Sequence, residues 1–215
     1  KWSARPEQGY VEYITSIEDI PLDSGDWLIL GRTNYRLKNL VPQLKERGLY
    51  FEIKDRKSYR TRLYRSIQDY TRWTNGDKLS LSECKDLFEF LELDKELTDE
   101  RMYDLKEFGF SFTDHWYQVF KSDPEECLYI REMTRNKEKL SEDPRIKLST
   151  IHAAKGGEAT NVLIILDNTK RIREAIEKNQ DKYDEEQRVW YVGVTRTKQN
   201  LYIMAAKKED KGYDI

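Results

Sequence analysis

The stretch 148-LSTIHAAKGGEATNVLII-165 decides the fold, because apolar residues on both sides enclose a short polar turn. Continuous apolar runs of this kind are typical of buried strands in a parallel sheet. The turn contains one of the two histidines of the chain, together with a lysine, two glycines and a glutamate. Open parallel sheets bind their ligands at the carboxyl ends of strands, so the sequence predicts a binding loop here.

The turn offers several groups that can contact a ligand. Thr150 and His152 would alternate at the end of the first strand. Gly156-Gly157 would free backbone N–H groups to bind an anion, and Lys155 adds a positive charge. Glu158 can accept hydrogen bonds from sugar hydroxyls. The alternative is an ordinary polar turn with a surface histidine, and the turn taken alone does not decide between them.

A second segment, 185-EEQRVWYVGVTRTKQN-200, predicts a helix that reaches residue 198, with Arg196 at its end. Val189, Tyr191, Val192 and Val194 would pack inward, and Gly193 would let the helix approach a neighbouring element closely. Glu185 and Glu186 can form local ion pairs one turn away. An arginine held at the end of an element can bind a phosphate through two parallel hydrogen bonds. The alternative is a surface arginine that caps the last carbonyls of the helix.

The third segment is 31-GRTNYRLKN-39, which follows the buried run Trp27–Leu30. Arg32 and Asn34 stand where a strand passes into a helix, and donors at such a junction can hold backbone phosphates. Ordinary turn chemistry would use the same residue types.

The pattern of apolar residues predicts an α/β fold interrupted by a helical domain. Residues 1–55 and 146–215 show strand and helix signals, with one helix expected over 35–47 and a last strand from Asn200. Residues 56–145 show helical patterns almost throughout, including a helix over 98–108.

Two helix starts in this insertion have clear capping signals. Ser80 and Glu83 have the spacing of a capping box, and Asp123 precedes Pro124 as an N-cap. Trp73, Trp116 and Tyr117 either pack the core of the insertion or contact bases; helical spacing favours the core.

Composition limits the classes of function. The 215 residues are 36% charged with a mean hydropathy of -0.89, but the net charge is only -2. Nucleic acid would therefore have to be bound by a local basic face. No apolar run approaches the about 20 residues of a membrane span, and no signal peptide is evident. The first residue is not Met, which suggests a fragment of a longer protein.

The cysteines do not predict a metal site. Cys84 and Cys127 lie far apart and match no ligand spacing, so we expect no metal. A zinc site that adds His115 or His152 is the minor alternative. So few cysteines favour a reducing compartment, and the cytoplasm is the expected location.

Taken in order, these segments resemble superfamily 1 DNA helicases of the UvrD/Rep/PcrA type. LSTIHAAKGGE is similar to motif V of that family, T-x-H-x-A-K-G-L-E. EEQRVWYVGVTRTKQNLYI is similar to motif VI, E-E-R-R-L-x-Y-V-G-x-T-R-A-x-x-x-L. LILGRTNYRLKNLVPQLKERGLYFEI resembles the stretch where the family has an R-T-N signature before its helical insertion. The resemblance covers the two α/β parts, and the insertion matches by position only.

The resemblance implies a RecA-like domain that lacks the P-loop, the second of two that clamp ATP with Mg²⁺ between them. It implies that Arg196 is the arginine finger on the γ-phosphate. It also implies that Glu158 binds the ribose and that Gly156 belongs to the nucleotide-binding loop. Residues 56–145 would be a short form of the 2B subdomain. The N-terminal RecA-like domain of the full-length protein would be the partner across the nucleotide.

The resemblance further implies contacts with DNA and 3′-to-5′ movement in repair or replication. The partners would be single-stranded DNA and duplex junctions. The residues implied in DNA contact are Thr150, His152, Lys155, Arg32 and Asn34.

The chain departs from the family pattern at several positions. Gly157 stands where the family has leucine, Ala159 replaces an aromatic residue, and Thr197 replaces an alanine. No G-x-x-x-x-G-K-[ST], D-E-x-Q or N-Y-R-S element occurs in the chain. We therefore expect the isolated chain to be inactive as an ATPase.

Three other functions compete with the helicase motor. One is a non-catalytic helicase-like module that binds nucleic acid or protein, and another is a subunit of a helicase–nuclease. A small-molecule α/β enzyme is the third, although the sequence shows no pairing of a nucleophile with a base.

Overall fold

The structure, a computed structural model, describes residues 8–94, 97–108, 115–154 and 156–205. The chain divides into two compact units. The first, here called the sheet unit, comprises Lys1–Arg56 and Lys139–Ile215. The second, here called the helical unit, comprises Lys57–Glu138.

A seven-stranded sheet organises the sheet unit. In chain order, strands β1 to β7 are Tyr10–Ile14, Trp27–Gly31, Phe51–Ile53, Arg56–Lys57, Ile146–Thr150, Ala159–Leu166 and Thr197–Ala205. Their order across the sheet is β1-β7-β6-β2-β5-β3-β4. All neighbouring pairs from β1 across to β3 are parallel. Every residue of β2 is buried, as are the last five residues of β6, which explains their continuous apolar sequences.

The helices cover the sheet and build the helical unit. In chain order, α1 to α8 are Asn34–Lys38, Val41–Glu46, Thr61–Thr74, Leu81–Leu91, Trp116–Val119, Pro124–Arg135, Lys170–Lys178 and Gln180–Val194. Two short 3₁₀ turns occupy Ile17–Asp19 and Leu105–Phe108. The α/β class predicted from the sequence is therefore confirmed.

The link between β5 and β6 joins opposite ends of these two strands. Residues 151–158 leave the carboxyl end of β5 and enter the amino end of β6, and β2 lies between these two strands. Since all three strands are parallel, the link passes from one edge of the sheet to the other.

The single helix predicted over 35–47 is wrong, because the structure has α1 and α2 with a break at Asn39-Leu40. Pro42 lies in the first turn of α2, where it has no N–H to continue the hydrogen bonds of α1. Gly48 ends α2 with a φ of 61°, and its N–H donates to the carbonyl of Lys45 at 2.9 Å. This C-terminal glycine was predicted correctly.

The predicted inward position of Tyr191 on α8 is wrong: its side chain is 64% exposed, and the neighbouring Trp190 is the buried aromatic residue. Helix α8 ends at Val194, before the predicted residue 198. The reason is strand pairing, since β7 already begins at Thr197, which pairs with Ala159 of β6. Arg196 therefore lies in the short connection between the helix and the last strand.

The helical unit has an aromatic core around Trp73, which is fully buried. Its ring centroid lies 5.8 Å from that of Phe88 and 5.7 Å from that of Phe108. The predicted capping box at the start of α4 is confirmed, since the backbone N–H of Ser80 donates to the carboxylate of Glu83 at 2.7 Å. For Trp73, the core role favoured by its spacing is the observed one.

The helix predicted over 98–108 is wrong for most of its length. Only the 3₁₀ turn Leu105–Phe108 is helical. Tyr103 instead exchanges two backbone hydrogen bonds with Leu79, of 2.7 and 3.0 Å. These bonds fix an extended backbone that a helix cannot adopt. The predicted end of the helix at Gly109 lies outside the described residues.

Candidate functional site

The predicted polar turn and the predicted helix pack against each other in one apolar cluster. Ile151 and Trp190 belong to this cluster together with residues of β2, β6 and β7. At Gly193, an added Cβ would already lie 3.4 Å from side-chain atoms of Ile151 and Ile164. The glycine therefore lets α8 rest directly on the turn and the sheet.

Two neighbouring cavities along this contact share wall residues and are here together called the α8 groove. One of about 290 Å³ is lined by Ile151, His152, Arg188, Val189, Val192 and Arg196. The other, of about 500 Å³, has His152, Arg188 and Val189 in its wall as well, and it extends to Arg32 and Glu186. His152 is exposed at the junction of the two cavities. The groove thus joins residues from all three sequence segments.

Arg196 is held at one end of the α8 groove by its backbone and by its side chain. Its N–H donates to the carbonyl of Gly193 at 3.1 Å, and its own carbonyl accepts from the N–H of Ala159 at 3.1 Å. Its Nε donates to the carbonyl of Val192 at 3.0 Å, and the side chain is half-buried. Nε caps α8, which is the structural alternative considered for this residue, while the terminal amino groups can still contact a phosphate.

Gly156 and Glu158 lie in the last part of the link, which leads into Ala159 at the start of β6. Glu158 is exposed and directly precedes Ala159, whose N–H donates a hydrogen bond to the carbonyl of Arg196. Gly156 has a φ of 90°, a conformation that side chains with a Cβ rarely adopt. Lys155, between the turn and this segment, lies outside the described residues.

Arg32 makes an ion pair that connects the end of β2 to α8. Its Nε donates to both carboxylate oxygens of Glu186, at 2.8 and 3.0 Å. The side chains are 21% and 5% exposed, so the carboxylate is buried and depends on this partner. The structure therefore gives Arg32 a definite structural partner in addition to any ligand.

Thr150 and Asn34 lie near Arg32 at the carboxyl edge of the sheet. Thr150 pairs in register with Gly31, and its hydroxyl accepts from the N–H of Ala153 at 3.3 Å. Asn34 is the first residue of α1 and is half-buried. The threonine hydroxyl thus helps to shape the turn that presents His152.

The predicted residues fall into two groups at opposite edges of the sheet. Arg32, Asn34 and Thr150 are at the carboxyl edge, while Glu158 and Arg196 are at the amino ends of β6 and β7. Ala159 and Ile165 of β6 mark these edges, and a strand of that length spans about 20 Å. His152 lies in the groove between the two groups.

Two buried polar contacts at the carboxyl edge were missed by sequence reasoning. The first is Glu186, for which only local pairs were expected; its neighbour Glu185 does pair locally, with Lys182 at 2.7 Å. The second is the pair of Arg36 with Asp167, at 2.9 Å. A charged residue directly after a buried strand is the only signal that could have indicated the second pair.

Asp26 anchors the amino end of β6. Its carboxylate accepts from the N–H of Thr160 at 2.8 Å. Partial burial alone would raise the pKa of this carboxyl, but hydrogen bonds from Thr160 outweigh it and the pKa lies below its ordinary value. The carboxylate is therefore charged at neutral pH and holds the strand that follows Glu158.

Among the described residues, no group of three or more histidine, cysteine or carboxylate side chains is arranged to hold a metal ion. Cys84 is buried and Cys127 is half-buried, and both are free thiols. In the part of the chain that the structure describes, no helix is long and apolar enough to cross a membrane.

This fold and these motifs define a helicase domain. The family model of the UvrD-like helicase C-terminal domain matches residues 61–208, and the chain belongs to this family. The resemblance drawn from the three segments is thereby confirmed, as is the RecA-like character of the sheet. Members of this family generally bind DNA and use ATP with Mg²⁺.

A relative with a named activity is the ATP-dependent DNA helicase Rep of Buchnera aphidicola subsp. Schizaphis graminum (strain Sg). The chain is 35% identical to it over 75 residues, which are 34% of this chain. The matched part is 11% of the length of that helicase. The match therefore covers only a small part of that helicase.

Proposed function

We propose that the chain is the second RecA-like motor domain of an ATP-dependent DNA helicase or translocase. One observation carries the proposal: the α8 groove connects Arg196 at one edge of the sheet to Arg32 at the other, with His152 between them. In this proposal, residues 1–55 and 146–215 form the motor domain. Residues 56–145, which include the helical unit, are its 2B-like insertion.

The nucleotide side comprises Arg196, Glu158 and Gly156. A guanidinium held by its backbone next to an exposed carboxylate fits the phosphate and the ribose of one nucleotide. Bound ATP with Mg²⁺ would supply the phosphoryl group that is transferred to water. Arg196 stabilises the negative charge of the transferred group, as arginine fingers do. The N-terminal RecA-like domain provides the opposite wall and the P-loop.

The DNA side comprises Thr150, His152, Lys155, Arg32 and Asn34. His152 is exposed in the groove, and Arg32 keeps its terminal amino groups for a phosphate while Nε binds Glu186. Single-stranded DNA and duplex junctions are the proposed partners, with 3′-to-5′ movement as in the family. Helix α8 connects the two sides of the site. It runs about 12 Å from Glu186, the partner of Arg32, to its end at Val194, two residues before Arg196.

The test uses a protein in which this chain is joined to the N-terminal RecA-like domain. Arg196→Ala should lower DNA-stimulated ATP hydrolysis by about 10³-fold or more, because it removes the charge that stabilises the transition state. Binding of single-stranded DNA should be unchanged. Arg171→Ala, an exposed arginine on α7, is the matched control and should have full activity. An ATPase that tolerates Arg196→Ala would refute the assignment.

The isolated chain provides a second test, because it contains no P-loop. No ATP hydrolysis should be measurable with or without DNA. Turnover that is stimulated by DNA and abolished by Arg196→Ala would contradict the division of the site between two domains.

A non-catalytic helicase-like module is the second candidate. It is favoured by Gly157 and Ala159, where two larger apolar side chains of the family are missing and the nucleotide loop packs less tightly. In that case the joined protein would bind DNA but hydrolyse no ATP, even with Arg196 intact.

A further inference from the structure

The helical unit carries an exposed group of aromatic and basic side chains on α5 and α6. The rings of His115 and Tyr117 are stacked, with centroids 5.2 Å apart and planes within 10°. The guanidinium carbon of Arg131 lies 4.9 Å from the centroid of Tyr117. These three residues are here called the aromatic platform. It belongs to the helical unit, whereas the α8 groove belongs to the sheet unit.

The platform lies at the margin of the core of the helical unit, since the ring centroids of Tyr117 and Trp116 are 5.8 Å apart. Trp116, the first residue of α5, packs on Phe120, which directly follows the helix; their ring centroids are 6.0 Å apart and Phe120 is only 7% exposed. Tyr117, between them in sequence, is 41% exposed. Part of the Tyr117 side chain is therefore accessible to a ligand.

Hydrogen bonds hold the backbone that carries these rings. The N–H of His115 donates to the side-chain oxygen of Gln118 at 3.0 Å, and the N–H of Gln118 donates to the carbonyl of His115 at 2.9 Å. Arg131 restrains Tyr117 from α6. A surface whose rings are ordered before binding loses little entropy when a flat ligand stacks on it.

The chemistry of the surroundings favours one ligand class. On α6, Leu128 and Arg135 lie one turn before and after Arg131, and both are strongly exposed. Arg135 also pairs with Glu132 at 2.7 Å. Aromatic faces combined with guanidinium groups suit a ligand with flat bases and regular negative charges. Single-stranded nucleic acid has both, whereas a duplex hides its base faces.

We propose that the aromatic platform binds single-stranded nucleic acid, with a base stacked on the His115–Tyr117 ring pair and Arg131 contacting a phosphate. This contact is additional to the DNA side of the α8 groove and does not depend on ATP. It assigns Tyr117 to base contact, the alternative that spacing on a helix did not favour.

The experiment measures binding of the 215-residue chain to a fluorescein-labelled oligothymidylate at low salt by fluorescence anisotropy. Tyr117→Ala should weaken binding about tenfold, the effect expected for losing one base stack. Tyr117→Phe, which keeps the ring, should stay within about twofold of the wild type. Tyr13→Ala is the matched control, since Tyr13 is 70% exposed and lies in the sheet unit. Unfolding midpoints should be equal for all variants, because both tyrosines are exposed.

A second oligonucleotide without bases separates stacking from charge. Tyr117→Ala should have no effect on its binding, while Arg131→Gln should weaken both oligonucleotides. Equal weakening of both by Tyr117→Ala would overturn the proposal, and so would the absence of binding by the wild-type chain.

Crosslinking separates this proposal from the proposed function. An oligonucleotide with 5-iododeoxyuridine should crosslink to the peptide that contains Tyr117. Crosslinks confined to the peptide with His152 would overturn the platform and leave the motor assignment intact. Crosslinks at Tyr117 would support the platform even if the ATPase of the joined protein tolerated Arg196→Ala.

Discussion

Replacing Arg32 by alanine should destabilise the sheet unit more than replacing any exposed charged residue of α8. The replacement leaves the carboxylate of Glu186, only 5% exposed, without the donor that binds both its oxygens. Breaking a buried ion pair from one side typically costs about 3–5 kcal/mol. Because Arg32 is 21% exposed and water can partly replace it, we expect about 3 kcal/mol.

Hydrogen exchange of the backbone amides of β2 is the suitable assay. The two units of the chain need not unfold together, so one global transition would mix their stabilities. Exchange in Trp27–Gly31 reports on the sheet unit alone. A loss of about 3 kcal/mol corresponds to a roughly hundredfold decrease in the protection of these amides.

The control is Lys182→Ala on the same helix. Lys182 pairs with Glu185 at 2.7 Å, but the two side chains are 52% and 56% exposed. Such surface pairs contribute about 0–1 kcal/mol, so protection should change little. Replacing both members of the buried pair, as Arg32→Met with Glu186→Leu, should restore much of the lost stability. If Arg32→Ala costs no more than Lys182→Ala, the buried pair does not stabilise the sheet unit.

Three further outcomes are expected. Gly156→Ala should lower the free energy of unfolding by about 1 kcal/mol because of its φ of 90°. Gly157→Ala should be nearly neutral, since the added Cβ would meet only one atom, at 3.4 Å. Equal thermal midpoints of the two glycine variants would contradict this contrast. Trp73→Ala should cost about 3–5 kcal/mol in urea unfolding of the helical unit, and a loss below about 1 kcal/mol would show that the core collapses around the gap. Burial raises the pKa of Cys84 to about 12, so a thiol reagent at mildly alkaline pH should label Cys127 first, and equal rates would contradict the burial of Cys84. Because the folded state then holds the Cys84 proton more tightly than the unfolded state, this contribution to stability is complete below about pH 8.5 and is lost as pH rises toward the folded pKa.

The parts of the fold that sequence reasoning predicted well are those with one dominant local cause. The buried strands β2 and β6 have continuous apolar runs, and α4 has a capping box that its spacing reveals. The errors arose where a tertiary or covalent effect overrode local spacing. Pro42 divided one apolar stripe into two helices, and the pairing of Tyr103 with Leu79 replaced an expected helix by extended chain.

The candidate site shows the same limit. Motif spacing identified the residues around His152 and Arg196, but not how the sheet separates them into two edges. That arrangement depends on β2 lying between β5 and β6, which adjacent sequence does not encode. The pair of Arg32 with Glu186 joins residues 154 positions apart, and only packing of the whole unit brings them together.

The course of the link 151–158 has a mechanical consequence. Parallel strands are usually joined by about twelve or more residues, most often with a helix that can shift on the sheet. This link is shorter, yet it must pass β2 and return along the length of the sheet. The turn that follows Thr150 is closed by a hydrogen bond from the N–H of Ala154 to the carbonyl of Thr150, at 2.9 Å. Because so few residues join the two edges, we expect a shift of Glu158 to reach the turn that presents His152 through the backbone itself.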